Sequence, residues 1–109
     1  MPTQEEIIGR ALDLKDLVSY QDGAVVSKTL IDKGKGTITL FSFDKGQGLS
    51  EHTAPFDAFV QVVDGTAEIT ISGTPHTVRA GEIIIMPADH PHSLRAIERF
   101  KMLLVMIRA

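Results

Sequence analysis

From residue 24 onward the chain alternates apolar and polar residues in short runs broken by glycine- and proline-bearing turns. Ala67, Ile69 and Ile71 alternate with Glu68, Thr70 and Ser72. This two-residue period marks a strand with one buried and one wet face. Runs at 24–31 and 37–43 flank "DKGKG" and predict a hairpin. Runs at 58–63 and 66–72 flank Asp64-Gly65, a pair suited to a two-residue turn with positive φ. Ser72-Gly73 predicts a further turn into 76–81, followed by runs at 82–87, 92–97 and 100–107. Ahead of these, Thr3 and Glu6 have capping-box spacing for a short helix, and 13–20 suits one more helical turn. The pattern predicts an all-β sandwich or barrel with a short N-terminal helical turn. Residues 1–23 read as an N-terminal extension and 24–109 as the β domain.

Two runs break the alternation. "EIIIM" and "MLLVMI" are apolar at successive positions, so both faces of those strands need cover. In a domain of this size one face meets the core. The other predicts either a second copy of the chain, in a homodimer, or the N-terminal segment folded across it. The alternation that places Ala58 inside places Gln61 outside, towards that interface.

Composition narrows the function. The 109 residues are 43% hydrophobic, enough for one core and too few for two. Net charge is −3 with Lys and Arg scattered, so no basic stripe addresses nucleic acid. Cysteine is absent, which excludes disulfides, thiolate metal sites and Cys nucleophiles. No apolar run is long enough to span a membrane and the N-terminus lacks a signal-peptide pattern, so a cytoplasmic protein is expected.

The chemistry sits in two stretches. His52 precedes a strand after the Gly-rich "DKGQGLS", and His92 follows "MPADHP", where Pro87 and Pro91 enforce a bend. The segments "GLSEHTAPFDAFVQVVDG" and "GEIIIMPADHPHSLRA" resemble the two signature motifs of the cupin superfamily. The resemblance runs from about Val25 to Ile107. It implies a double-stranded β-helix (jelly-roll) barrel. Gly81, Pro87 and His92 keep the spacing of the second motif, with Asp89 in place of its glycine and Ala96 in place of its asparagine. The first motif keeps His52, but Ala54 and Ala58 stand where metal-bound cupins have a histidine and a glutamate. Of the four metal ligands the family implies, only His52 and His92 carry over.

Catalytic zinc uses three protein ligands and non-haem iron two histidines and a carboxylate. His90, Asp57 and Asp89 are the candidates for a third. Two imidazoles do not select among zinc, iron, nickel or manganese, and a site with no metal is equally consistent. His76, beside Pro75, reads as outside the pocket. The methyl groups of Ala54 and Ala58 predict an enlarged apolar interior walled by Val60, Val62, Ile69 and Ile71, with His52 and His92 at one end. That composition suits a small organic ligand.

Three functional readings follow. The domain binds a small molecule around His52 and His92, with a weakly coordinated divalent metal or an acid–base imidazole pair. It is a metal-dependent enzyme of isomerase, dioxygenase or decarboxylase type. Or it is a non-catalytic sensor or structural dimer whose pocket is vestigial. His52 and His92 are the candidate catalytic residues if there is catalysis.

Overall fold

Alternation at the start of the β region folds as the pattern predicts. In the computed structural model, which describes residues 4–108, β1 (Val25–Lys33) and β2 (Gly36–Phe43) pair antiparallel about Gly34 and Lys35. The strands β3 (Gly48–His52), β4 (Ala58–Ile71), β5 (Thr74–Arg79), β6 (Ile83–Met86) and β7 (His92–Ile107) follow. A one-turn helix α1 (Gln4–Ile7) and a 3₁₀ turn (Leu14–Leu17) precede them. Thr3, the expected helix cap, lies outside the described residues. Among the described residues no helix is long and apolar enough to cross a membrane.

The strand order is β1-β2-β7-β4-β5, with β3 added to β7 and β6 added to β4. β4 and β7 each serve two layers. The first half of β4 and the second half of β7 join β1, β2 and β6. Their other halves join β3 and β5. The inner faces of the two layers enclose the core of an all-β barrel.

Two expected breaks are absent. Asp64-Gly65 is a bulge inside one fourteen-residue strand, with register shifts against β7 on either side. Gly65 has φ +76, and a Cβ there would lie 1.8 Å from the Arg99 carbonyl oxygen. A turn and a glycine bulge need the same positive φ, so the dipeptide does not distinguish them. The runs at 92–97 and 100–107 are likewise one strand, β7. Ser72-Gly73 is a true hairpin turn, with φ +48 and +80 between Ile71 and Thr74. Positive φ at both central residues matches the right-handed twist of the flanking strands.

Ala58, Val60, Val62, Ala67 and Ile69 all face inward, because the bulge inserts a residue without inverting the faces. They pack with Phe43, Phe100 and Met102. The rings of Phe43 and Phe100 stack at 4.4 Å and 7°, and Phe41 continues the stack. Outside the barrel, Leu17 and Val18 bury against Leu40, with Val26, Leu30 and Val63 around them. The Tyr20 hydroxyl donates to Asp64 at 2.5 Å, and its ring lies beneath Arg99 and Lys101. Burial and the Asp64 carboxylate both push the Tyr20 hydroxyl's pKa up. The N-terminal segment thus covers one half of the apolar outer face.

Candidate functional site

His92 opens β7, and Pro91 before it keeps His90 out of the helical region. Asp89 adopts φ +63, the left-handed conformation a glycine would take, and its N–H donates to the Ala54 carbonyl at 2.8 Å. The Pro91 carbonyl accepts from Ser72 N–H at 2.8 Å. The chain is thereby clamped on both sides of the bend. His52 ends β3 rather than preceding a strand, and an irregularity after Leu49 brings it level with His92.

The two rings meet edge to face, with centroids 4.3 Å apart, and the two Nε2 atoms are 3.1 Å apart. Each Nδ1 hydrogen-bonds a carbonyl two residues earlier: His52 to Ser50 at 2.8 Å and His92 to His90 at 3.2 Å. A carbonyl only accepts, so both Nδ1 atoms carry the proton in these bonds. In the neutral rings both Nε2 lone pairs then point at one another. That contact becomes favourable when a proton, a hydrogen-bond donor or a cation sits between them. His92 is 3% exposed while His52 is open to solvent. Burial, and next the nearby charge His52 can carry, hold the His92 pKa below the usual imidazole value, against a smaller opposing effect of the His90 carbonyl. His92 is therefore neutral at pH 7.

The candidate third ligands do not join the pair. Asp57 accepts from Ala88 N–H at 2.8 Å and ties the two site loops together. His90 Nδ1 is hydrogen-bonded to the Ser72 hydroxyl at 3.0 Å. Asp89 is an exposed turn residue. Among the described residues no group of three or more His, Asp or Glu side chains is placed to hold a metal ion. His76 lies on β5, opposite Ile69, and lines a surface cleft with Glu82 and Ile84.

The expected apolar pocket is narrower than the sequence implies. Val60, Val62 and Ile69 are 0% exposed, so no water-sized space adjoins them. The stacked rings of Phe43 and Phe100 belong to the same buried cluster and close that end of the interior. Ile71, level with His92, is half-buried. The inner face is open at one end, where Thr37, Met106, Ala58 and Met86 form a row across the layer. Thr39 and Leu104 form the row beside it. Thr37, Thr39, Leu104 and Met106 are half-buried, and none of these six residues carries a charge. Among the described residues Thr37 Oγ1 is buried without a hydrogen-bond partner. Neither that hydroxyl nor the two carbonyls that fix the ring tautomers had any signal in the sequence.

Comparison with known proteins agrees with this architecture. A family model described as "Cupin domain" matches residues 39–108. A conserved Streptococcus pyogenes protein of unknown function is 42% identical, with TM-score 0.89 over 93% of this chain and 89% of that one. A cupin 2 conserved barrel domain protein from Leptotrichia buccalis is 41% identical, with TM-score 0.86 over 89% of this chain and 47% of that one. Among curated proteins, Protein SchB of Streptomyces halstedii is 29% identical over 73 residues, 66% of this chain. The match spans about half of SchB, 53% of its length. With its family-model match, its barrel and its solved relatives in agreement, the chain belongs to the cupin family.

Proposed function

We propose that this cupin domain binds a small, largely apolar organic molecule at the open end of the barrel, with one polar group seated on His52 and His92. The observation behind this reading is the convergence of two Nε2 atoms at 3.1 Å while both Nδ1 atoms are committed to carbonyls. A ligand hydroxyl, carboxylic acid or N–H supplies the proton that the facing lone pairs lack between them. The half-buried Ile71, Leu104 and Met106 receive an apolar body. The lack of charge in the inner-face rows favours a neutral ligand, because a buried ion needs a partner.

The pair suits proton uptake as well as binding. Neutral His92 can take a proton from a bound hydroxyl or acidic C–H, with His52 passing it to solvent. A resident catalytic metal does not fit. The 3.1 Å separation matches two imidazoles bound to one ion at about 2.0–2.1 Å each, but such a site takes three protein ligands and the described residues offer two. A metal here would be held weakly and completed by the ligand's own oxygens.

The test is a screen of small neutral hydroxy-aromatic and carboxamide fragments by NMR of the imidazole ¹⁵N resonances. Hits are expected to shift both His52 and His92 and to lose binding in His92→Ala. Hits that leave both rings unperturbed, or that bind His92→Ala equally well, would sink the reading.

A further inference from the structure

Inside the open end of the barrel, Thr37 Oγ1 is shut off from solvent and has no hydrogen-bond partner among the described residues. Its side chain lies on the inner face of β2, level with Met106, which is level in turn with Ala58 and through it with Met86. The two thioethers accept hydrogen bonds only weakly, and the Ala58 methyl not at all. Backbone groups on both sides are engaged in the sheet, since Thr37 pairs with Asp32 on β1 and with Met106 on β7. An unpaired buried hydroxyl is a standing cost, and valine would fill the same volume without it. Such a group calls for a partner from outside the chain.

The row that holds Thr37 opens on the same end of the barrel as the imidazole pair. Residues 53–57 lead from His52 to Ala58, and residues 87–91 lead from Met86 to His92. The two segments are tied together by Asp57 with Ala88 and by Asp89 with Ala54. Across the row, Thr37 stands two strand spacings, about 10 Å, from Ala58, with Met106 between them. A ligand that reaches both polar sites must therefore cross an apolar stretch.

We infer that Thr37 is a second anchor for the ligand, and that the ligand is a neutral molecule with a polar atom at each end of an apolar body. The inference rests on the reading of His52 and His92 as the seat of a hydrogen-bond donor. The two ends then select different groups. The facing Nε2 lone pairs call for a hydroxyl or N–H. The Thr37 hydroxyl has a proton to give, and a carbonyl oxygen takes it. A carboxylate at that end would find no counter-charge in the row of Thr37, Met106, Ala58 and Met86. The chemical class is thus a hydroxy-substituted ketone or amide, with its hydroxyl on the imidazoles and its carbonyl on Thr37. Met106, flexible and half-buried between the two sites, packs on the apolar body.

The experiment compares para-hydroxybenzylacetone with para-isopentylphenol, which has the same heavy-atom skeleton but a methyl in place of the carbonyl oxygen. Both are titrated by NMR of the imidazole ¹⁵N resonances. The methylenes between ring and carbonyl keep the acidity of the two phenols alike. The ketone is expected to bind the wild-type protein about tenfold more tightly than the alkylphenol. Thr37→Val is expected to weaken the ketone about tenfold and to change the alkylphenol less than about twofold. Thr37→Ser keeps the hydroxyl and is expected to bind the ketone within about threefold of wild type. Thermal unfolding checks that each variant keeps its fold. Equal binding of the two phenols, both lost in His92→Ala, overturns the second anchor and leaves the first reading standing. Equal weakening of both phenols in Thr37→Val does the same, and marks Thr37 as a packing residue. If neither phenol shifts the His52 and His92 resonances, or both still bind His92→Ala, the reading beneath the inference falls with it.

Discussion

The two ends of the barrel interior are built on opposite principles. At one end Phe43 and Phe100 stack within a shell of 0%-exposed aliphatics, every inward group is apolar, and nothing remains for a ligand to satisfy. At the other, the inner face carries half-buried threonines, an orphaned hydroxyl and two imidazoles with converging lone pairs. The difference separates stability from chemistry within one small core. The aromatic end holds the barrel closed, and the open end keeps unsatisfied groups that a better-packed interior would have eliminated.

The largest effect that would sharpen this contrast is at the aromatic end. Phe100→Ala removes one face of the stack and is expected to lower unfolding free energy by about 3–5 kcal/mol in urea titrations. A loss below about 1 kcal/mol would mean that this end is not the structural core. Gly65→Ala comes next. The left-handed φ and the approach of the Arg99 carbonyl predict a loss of about 2–3 kcal/mol by the same measurement.

At the open end the sign reverses. Thr37→Val keeps the shape and removes the unpartnered hydroxyl, so it is expected to stabilise the ligand-free protein by about 1 kcal/mol in thermal unfolding. A destabilised variant would mean that this hydroxyl is paired after all. The smallest effect is the pH response of His92. Its folded pKa is depressed, so between that value and the ordinary 6.5 the unfolded chain binds the proton first. This contribution to stability is present above pH 6.5 and is lost as pH falls through the folded value. His92→Gln is expected to flatten that part of the stability profile, measured by urea unfolding at a series of pH values.

Much of this was legible in the residues. Alternation and apolar runs located every strand but β3, which the Gly-rich stretch before His52 concealed, Ser72-Gly73 gave its hairpin, and the two motif remnants identified the barrel. Pairing of the imidazoles follows from the same motifs. What the sequence concealed was set by tertiary contacts. Gly65 could terminate a strand or bulge within one, and only its neighbour β7, running unbroken alongside, decides between them. Asp57 and His90 are good ligands by residue type, but Ala88 N–H and the Ser72 hydroxyl engage them locally. Val60, Val62 and Ile69 face inward as alternation requires. Their packing against phenyl rings from distant strands has no local signature.

The sixteen-residue strand β7 has a consequence for how the chain is made. It follows the other six strands in chain order, yet it is the hydrogen-bonding partner of β2, β3 and most of β4. As the polypeptide leaves the ribosome, the β1–β2 and β4–β5 hairpins can form, but the barrel cannot close until His92–Ile107 has emerged. Until then β2 and β4 present open apolar edges, which favours chaperone capture or intermolecular pairing. A translation product stopped before His92 would lack the strand that joins the two layers, and would be expected to aggregate rather than fold.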